Sequence, residues 1–313
     1  MKNIYITDNN GLLKESKEIK KDCWIDLVNP TINEIKEISS MTNTDEDLLT
    51  KLMDDEELPR IEVGNNATLI VVDTPYIIDS KYKHRLNTDP LGIIINNYGY
   101  FITISLKKHM FFNNFKQNKI KDFDVKKRTK FVIQILLSIA STYQKELYSI
   151  NNYITDKEKT LYKSTDNNEL VDLLNIEKTL VYFTTSLKAN EVVLEKLSKG
   201  NVLKLYEDDN DLMEDAIIEN KQAIEMSNIY REILTSMTDT YATIISNNLN
   251  HIMKFLAGIT IVFSIPTMVA SFIGMNVPLG KVGTSSLSFI LIIVCSFILS
   301  LIIAFILKRK NML

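Results

Sequence analysis

The sequence predicts an α+β membrane protein, in which an α/β domain is followed by a long helix that continues into the first of two transmembrane helices. Three observations support this fold class. Residues up to about 250 are polar and rich in Asn, Lys, Asp and Glu, whereas the remainder is apolar. Segments 255–273 and 282–307 contain no charged residue, and a helix needs about 20 apolar residues to cross a bilayer. Neither Gly nor Pro interrupts residues 211–257.

The first domain is expected to span residues 1–124 and to combine strands with helices. Thr31 and Glu34 have the spacing of a capping box, which predicts that a helix begins there. Residues 96–99, Asn-Asn-Tyr-Gly, are typical of a hairpin turn. The strand candidates are β-branched or aromatic segments bounded by turn residues, namely 23–27, 68–73, 91–95 and 100–104. This pattern predicts an α/β sandwich.

The middle of the chain is expected to be helical. Residues 125–205 should form a helical hairpin, because apolar residues recur there with helical spacing. Residues 206–254 should form a stalk helix, and this helix should continue through residue 273. Residues 211–273 would then span about 95 Å. A helix of that length cannot be buried within one small domain. It is therefore expected to join the cytoplasmic part to the membrane and to pack against copies of itself.

The C-terminal region should form a membrane hairpin. The expected parts are a first span at 255–275, a loop at 276–286, a second span at 287–307 and a basic tail at 308–313. Lys254 precedes the first span and Lys308-Arg309-Lys310 follows the second, whereas the loop carries only Lys281. The excess of basic residues predicts that both termini are cytoplasmic and the loop is outside. No apolar signal segment is seen within residues 1–16.

The first span has a polar stripe with a 3.5-residue repeat. Its members follow one another at alternating steps of four and three, and they are Ser246, Asn250, Met253, Ala257, Thr260, Ser264, Thr267 and Ser271. Such a repeat describes the contact seam of a left-handed helix bundle. One interpretation is that the hydroxyls hold helices together or bond to their own backbone carbonyls. The other is a water-filled axis, which the continuous stripe favours and which requires an oligomer.

A short motif, Gly274-Met275-Asn276, stands at the outer end of this stripe. It ends the first of two C-terminal spans, follows a long charged helix and precedes a basic tail. In this combination the chain resembles the CorA family of magnesium channels, whose signature is Gly-Met-Asn at this place. The other stretches that carry the resemblance are 24–26, 59–62, 230–232, Asp239, 246–250 and 251–254.

The resemblance implies a funnel-shaped homopentamer with a cytoplasmic α/β/α sandwich domain, embedded in the lipid of the cytoplasmic membrane. It further implies influx of magnesium as the transported ion, driven by the membrane potential and without an organic cofactor. The implied cation-selective ring consists of Gly274, Met275 and Asn276. Met253 and Leu256 would form an apolar gate. The pore lining, from the resemblance and the stripe together, would comprise Asn250, Thr260, Ser264, Thr267 and Ser271.

The chain departs from the family at the regulatory divalent site between subunits. The stalk aspartate of that site matches Asp215, but the acidic pair opposite falls on Thr50 and Lys51. A Lys51–Asp215 ion pair would then replace the metal clamp. The alternative is that the match is shifted and that a neighbouring acid completes the site, the candidates being Asp47, Asp54 and Asp55. The loop 276–286 also lacks the usual glutamate, and Ser264 stands at a gate position that is often apolar.

Other functions find little support. A net charge of −3 without a basic stripe argues against nucleic-acid binding. The sequence shows no nucleophile–base set that would predict an enzyme, and it shows no Gly-rich phosphate loop. The acidic run 207–211 is interpreted as a helix start, and His84, His109 and His251 are too scattered to suggest a metal site. Two alternatives remain: a zinc, cobalt or nickel transporter of the same superfamily, and a non-conducting membrane-anchored sensor.

Overall fold

The computed structural model describes residues 1–8, 11–78, 86–161, 167–276, 286–310 and 312. The chain divides into two compact units, Met1–Thr238 and Asp239–Leu313. The first unit holds a sheet covered by helices, and the second holds the two apolar helical segments. The predicted fold class is confirmed, whereas the predicted domain boundaries remain predictions.

A seven-stranded sheet forms the centre of the first unit. Its strands are β1 (Lys2–Thr7), β2 (Leu13–Ser16), β3 (Trp24–Val28), β4 (Arg60–Val63), β5 (Ala67–Ile77), β6 (Leu86–Asn96) and β7 (Phe101–Ser105). Their order is β2-β1-β3-β7-β6-β5-β4. All neighbours are antiparallel except β3 and β7, which pair in parallel with Trp24 opposite Phe101. The four predicted strands correspond to β3, β5, β6 and β7.

Two short helices and a 3-10 turn cover one face of the sheet. They are α1 (Ile32–Thr42), α2 (Glu46–Thr50) and the turn Lys51–Met53. The predicted capping box is confirmed, because Thr31 Oγ1 accepts a hydrogen bond from Glu34 N at 3.3 Å and Thr31 N donates to Glu34 Oε2 at 2.8 Å. Leu52 packs so closely on Gly92 of β6 that a Cβ at that position would overlap its side chain.

Three further helices cover the opposite face and complete an α/β/α sandwich. They are α3 (Phe112–Lys116), α4 (Arg128–Leu161) and α5 (Asn167–Ser198). Where α3 and the start of α4 meet the sheet, the interface is an aromatic layer built from Trp24, Phe101, Phe112, Phe115, Phe123 and Phe131, with ring centroids 4.2–6.2 Å apart. Aromatic pairs at such distances add stability beyond the area that they bury.

A buried polar network lies next to this aromatic layer. Asp26, which is 1% exposed, accepts hydrogen bonds from Lys116 Nζ at 2.7 Å and from Thr103 Oγ1 at 3.0 Å. Trp24 Nε1 donates to Thr103 Oγ1 at 2.8 Å. A buried carboxylate is tolerated only when it is paired in this way. Lys116 therefore attaches α3 to the sheet by charge as well as by packing.

The predicted turn between β6 and β7 is confirmed. Gly99 has φ +103°, a conformation that side chains with a Cβ rarely adopt. The side chain of Asn96 accepts a hydrogen bond from Tyr100 N at 2.9 Å and donates to Thr42 O at 2.8 Å. The turn is thereby tied to the C-terminus of α1.

One helix covers most of the predicted stalk and of the predicted first span. This helix, α6 (Glu207–Ile273), has 67 residues; it begins one residue after the predicted start of the stalk at 206 and ends two residues before the predicted end of the span at 275. Within the first unit it packs on α5, where Ser227 and Thr184 share a hydrogen bond of 2.8 Å and Asn220 Nδ2 donates to Leu187 O at 3.0 Å. The second apolar helix is α7 (Ser286–Arg309). By length and composition, α6 and α7 can each cross a membrane.

Candidate functional site

The Gly-Met-Asn motif follows directly after the end of α6. Gly274 N donates to Ala270 O at 2.9 Å, so helical hydrogen bonding extends one residue beyond that end. Gly274, Met275 and Asn276 are all exposed. A Cβ added to Gly274 would make only ordinary contacts, the nearest to Ala270 O at 3.4 Å. Among the described residues, no contact requires glycine at this position.

A shallow groove of about 530 Å³ runs along the apolar part of α6. Its wall combines hydroxyl side chains with large apolar ones, and it consists of Ile259, Thr260, Phe263, Ser264, Thr267, Met268 and Ser271. The structure therefore brings four of the predicted pore residues together on one wall. Asn250, Met253 and Leu256 lie on exposed positions nearer the N-terminus of α6 and do not line this groove.

The hydroxyls of the groove bond to the backbone of their own helix. Thr260 Oγ1 donates to Leu256 O at 2.8 Å, and Thr267 Oγ1 donates to Phe263 O at 3.1 Å. Ser264 Oγ donates to Thr260 O at 2.7 Å. Each of these is a bond to the carbonyl four residues earlier, a pattern common in apolar helices. The backbone-bonding interpretation is therefore correct for these three, although their oxygens remain on the exposed wall.

The opposite side of the same helix is shielded. Gly258 is buried, and Val262, Ile265 and Val269 are half-buried. These positions are offset by two residues from the polar stripe, which is about 200° around a helix. On α7 the buried residues Ser296, Ser300 and Leu307 also share one side. This pattern indicates that the two spans face each other on that side and leave the polar groove free.

Lys51, predicted to face Asp215 of another copy, is paired within its own chain. Lys51 Nζ donates to Glu62 Oε1 at 2.8 Å and to Oε2 at 3.1 Å. This hydrogen bond, more than the nearby Arg60, lowers the pKa of Glu62 below its usual range. Asp215 is exposed on α6. The Lys51–Asp215 pair stays a prediction, and Glu62 would compete for the lysine.

The acidic run at 207–211 is confirmed as a helix start. Glu207, Asp208 and Asp209 occupy the first turn of α6, where carboxylates are favoured by the helix dipole. The buried Asp209 accepts a hydrogen bond from Tyr206 N at 3.2 Å through Oδ2. In the described part of the chain, no three His, Cys, Asp or Glu residues come together in a way that could hold a metal.

The histidines contribute no cation site among the described residues. His109 is buried. Its Nδ1 lies 3.1 Å from Thr74 Oγ1, and its Nε2 lies 3.6 Å from Asp89 Oδ2. Burial lowers the pKa of His109 to about 4, so the ring is neutral at pH 7. His251 is exposed on α6, and His84 lies outside the described residues.

Sequence reasoning missed the side chains that bind α5 to the sheet. Asn190 Oδ1 accepts from Asp73 N at 2.9 Å while its Nδ2 donates to Asp73 O at 2.8 Å. Ser186 Oγ donates to Asp73 Oδ2 at 2.6 Å. The only available signal was the presence of Ser and Asn within an otherwise helical segment, which is too common to predict a partner 117 residues away.

These features define a class of membrane proteins with a large sheet-and-helix domain and a C-terminal pair of apolar helices, the first of which carries a polar groove. The chain belongs to the CorA family, because residues 20–309 match the family described as CorA-like Mg2+ transporter protein.

Two curated relatives are similar to the chain. The cobalt/magnesium transport protein CorA of Methanocaldococcus jannaschii is 27% identical over 295 residues, which cover 92% of this chain and 90% of the relative. The protein of the same name from Thermotoga maritima is 26% identical over 248 residues, or 73% of this chain and 65% of the relative.

The fold is shared with a solved structure. The complete CorA magnesium transporter from Methanocaldococcus jannaschii superposes with a TM-score of 0.85 at 24% sequence identity, covering 100% of this chain and 99% of that one. The sandwich, the long helix and the C-terminal apolar helix of this chain therefore form one known architecture.

Proposed function

We propose that this chain is the subunit of a channel that carries divalent cations, above all magnesium, into the cytoplasm. The observation that carries the proposal is the uncharged segment of α6, whose hydroxyl-lined groove leads toward Gly274-Met275-Asn276. Membership of the CorA family and the names of the two curated relatives support it. The proposal assigns the chain no enzymatic activity, no organic cofactor and no nucleic-acid partner.

The proposed assembly is a homopentamer. One helix cannot enclose a pore, so the groove needs neighbouring copies to close it. The first span would stand at the centre with its polar side toward the axis. The second span would surround it and contact lipid through its exposed apolar residues, such as Phe289, Phe297 and Leu301. Both termini would lie in the cytoplasm, because Lys254 and Lys308-Arg309-Lys310 flank the spans on that side.

The proposed selectivity ring is formed by Gly274, Met275 and Asn276. Magnesium gives up its water reluctantly and is usually bound with several waters retained. Neutral amide and carbonyl oxygens can hydrogen-bond those waters without holding the ion so tightly that release stalls. Asn276 supplies such oxygens on an exposed position at the end of the groove helix.

The remaining positions along α6 would line and gate the pore. The proposed lining comprises Asn250, Thr260, Ser264, Thr267 and Ser271. Met253 and Leu256, both exposed in the single chain, would form an apolar constriction that blocks ions by losing its water. Inward movement of a divalent cation gains about 4.6 kcal/mol per 100 mV. No ATP-driven step is needed.

Cobalt is a second candidate ion, because both curated relatives are named as cobalt/magnesium transport proteins. Asp215 remains a proposed part of a regulatory site between subunits. Its partner in this chain would be Lys51, or else one of the acids at Asp47, Asp54 and Asp55. A lysine would make the response of gating to cytoplasmic magnesium weak, since an exposed ion pair contributes only about 0–1 kcal/mol.

The test is uptake into liposomes that contain the full chain, with magnesium, cobalt, nickel and zinc compared side by side. Asn276→Ala should reduce magnesium uptake at least about tenfold, because the ring loses the oxygens that hold the hydrated ion. Asn247→Ala is the matched control, since Asn247 is an exposed residue of the same helix that lies off the polar stripe.

Three results would contradict the proposal. Normal magnesium uptake by an assembled Asn276→Ala protein would remove the motif from the mechanism. Equal loss in Asn247→Ala would show that the effect is not specific to the ring. Absence of uptake of all four ions by the unmodified protein would favour the non-conducting sensor.

A further inference from the structure

A cavity of about 520 Å³ lies in the first unit, where the start of α4 meets the start of α6. Pockets of about 300–1,000 Å³ hold small organic ligands. Four of the residues that line this cavity are basic, namely Lys126, Lys127, Arg128 and Lys130, and Tyr206 lines it as well. The proposed channel function uses none of these residues.

Three of the four cations have no counter-charge of their own. Among the described residues, none of Lys126, Lys127 and Lys130 forms an ion pair. Arg128 lies 3.8 Å from a carboxylate oxygen of Asp22 and donates a hydrogen bond to a backbone carbonyl at 3.1 Å. No Asp or Glu occurs between residues 125 and 145. The helix that follows therefore supplies no partner three or four residues along.

The position of these cations is unfavourable as long as no anion is bound. α4 has no acid in its first turn, and the N-terminus of a helix carries a partial positive charge that repels cations. Within the described part of the chain, no side chain accepts a hydrogen bond from the backbone N–H of Arg128, Thr129 or Lys130. α6, in contrast, places three acids in its first turn. A local conflict of the kind seen at α4 is typical of a functional site.

The other part of the cavity lining is aromatic and apolar. Tyr206 is 61% exposed, and Ile95 and Leu203 line the same cavity. Lys204 Nζ lies 5.7 Å from the centroid of the tyrosine ring. Nucleotide bases stack on accessible aromatic rings, and a neighbouring cation strengthens such sites.

Two carboxylates also line the cavity, and they limit where an anion can lie. Asp209 is buried and accepts a hydrogen bond from Tyr206 N at 3.2 Å, whereas Asp208 is exposed. Both belong to the first turn of α6. An anionic group is therefore favoured on the α4 side of the cavity and a neutral ring on the α6 side. A ligand with a charged part and a separate aromatic part matches this arrangement.

We propose that this cavity binds a nucleoside polyphosphate, with its phosphates on Lys126, Lys127 and Lys130 and its base on Tyr206. Lysine ammonium groups and the free amides at a helix start are the groups that hold phosphates in proteins. The aromatic ring supplies the complement of the base. The site is one of binding alone, without hydrolysis. The inference goes beyond the proposed function and does not depend on it, because every residue of the cavity belongs to the first unit.

The experiment is isothermal titration calorimetry of the full chain in detergent, with ATP and inorganic tripolyphosphate as titrants at one fixed magnesium concentration. Lys126→Ala/Lys127→Ala should weaken the binding of both titrants at least about tenfold, because charge-assisted hydrogen bonds to the phosphates are lost. Lys119→Ala/Lys121→Ala is the matched control, since it removes the same charge from exposed residues that do not line the cavity. This control should stay within about twofold of the unmodified chain, because distant exposed charges are screened.

The role of the ring is tested separately at Tyr206. Tyr206→Ala should weaken ATP binding at least about fivefold, as expected for the loss of base stacking, and should leave tripolyphosphate binding unchanged. Tyr206→Phe keeps the ring and should bind ATP like the unmodified chain. The fluorescence of Trp24 confirms that the first unit of each variant is folded.

The inference is overturned if the unmodified chain shows no saturable binding of ATP, or if it binds ATP no more tightly than tripolyphosphate. Equal weakening by the two lysine pairs would also overturn it, because that result indicates a general effect of charge. A loss of tripolyphosphate binding in Tyr206→Ala as large as that of ATP would count against stacking. Failure of these tests leaves the proposed function standing, since uptake of cations into liposomes is a separate measurement.

Discussion

The two units of this chain differ in where they place their large apolar side chains. In the first unit Trp24, Phe101 and Phe131 are fully buried, whereas in the second Phe263 is 72% and Leu287 73% exposed. Polar groups show the reverse arrangement. The first unit pairs its buried polar atoms, with two exceptions among the described residues, Gln134 Oε1 and Tyr143 Oη. The second carries its hydroxyls on an exposed wall.

This difference shows that the first unit buries its large apolar side chains within its own chain, whereas the second unit leaves many of its own exposed. The apolar core of the first unit already excludes water, and burial of that kind stabilises a fold on its own. Under the proposed function, the exposed apolar faces of the second unit contact lipid, and its polar wall contacts water or further copies. Substitutions in the first unit should therefore change the free energy of unfolding, and substitutions at the polar wall should change ion flux.

The largest expected effect is on the buried pair of Asp26 and Lys116. Lys116→Met removes the cation 2.7 Å from a buried carboxylate, and an uncompensated buried charge costs about 3–5 kcal/mol. Unfolding by urea, followed by the fluorescence of Trp24, measures the change within the first unit. Trp24 is the only tryptophan of the chain and lies against Lys116.

The double variant Lys116→Met/Asp26→Asn should recover most of the loss, because no unpaired charge remains. Lys20→Met, which breaks only an exposed ion pair with Glu18, is the control and should change the unfolding free energy by under about 1 kcal/mol. A loss as large in Lys20→Met as in Lys116→Met would refute the assignment.

A smaller effect concerns acid stability and the pair of His109 and Asp89. Burial lowers the pKa of His109 from 6.5 to about 4. As pH falls from 6.5 to 4, His109 therefore becomes protonated in the unfolded chain but stays neutral in the folded one, and the free energy of unfolding decreases. Burial raises the pKa of Asp89 from 3.8 to about 6. As pH falls, Asp89 is therefore protonated at a higher pH in the folded protein than in the unfolded chain. The free energy of unfolding accordingly increases over nearly the same pH interval.

The two effects oppose each other, so their net contribution to stability between pH 6.5 and 4 should be small. In Asp89→Asn only the histidine effect remains. The free energy of unfolding of this variant should fall relative to the unmodified protein by about 3 kcal/mol over that range, from ~1.36 kcal/mol per pKa unit. Urea unfolding at a series of pH values measures the difference. Parallel pH profiles for the two proteins would show that the pKa of Asp89 is not raised as stated.

The smallest expected effect on stability, and the one that separates the units most clearly, is at Gly274. Gly274→Ala should leave unfolding of the first unit unchanged, because Gly274 belongs to the second unit and a Cβ there makes only ordinary contacts with the described residues. Magnesium uptake should nevertheless fall about tenfold if glycine lets the backbone approach the ion or another copy. Unchanged uptake would show that no such approach occurs.

Regular patterns in the sequence predicted the elements that depend on local properties. β-Branched or aromatic segments bounded by turn residues predicted β3 and β5 to β7. Thr31 and Glu34 predicted the start of α1, and the uncharged segments predicted the membrane parts of α6 and α7. The strands β1, β2 and β4 were not predicted. β2, Leu13–Ser16, includes Lys and Glu, and its pairing depends on the neighbouring β1.

The candidate site was predicted in its residues but not in its geometry. The stripe of Thr260, Ser264 and Thr267 follows from spacing alone. The direction of each hydroxyl does not, because a serine or threonine can bond to its backbone or away from it. Long-range pairs were equally hidden: Lys51 was assigned to Asp215, and nothing in the sequence favoured Glu62, which it contacts.

The single parallel pair, β3 with β7, also has a consequence for biosynthesis. β3 lies inside the sheet. It can pair with β1 at once, but its second partner, β7, ends at Ser105, so one side of residues 24–28 stays unpaired until more than 70 further residues have been translated. The aromatic layer closes later still, with Phe131. At about 5–20 residues per second, the first apolar span follows roughly 6–25 s after that. The sheet therefore has time to pair its strands before either apolar span leaves the ribosome.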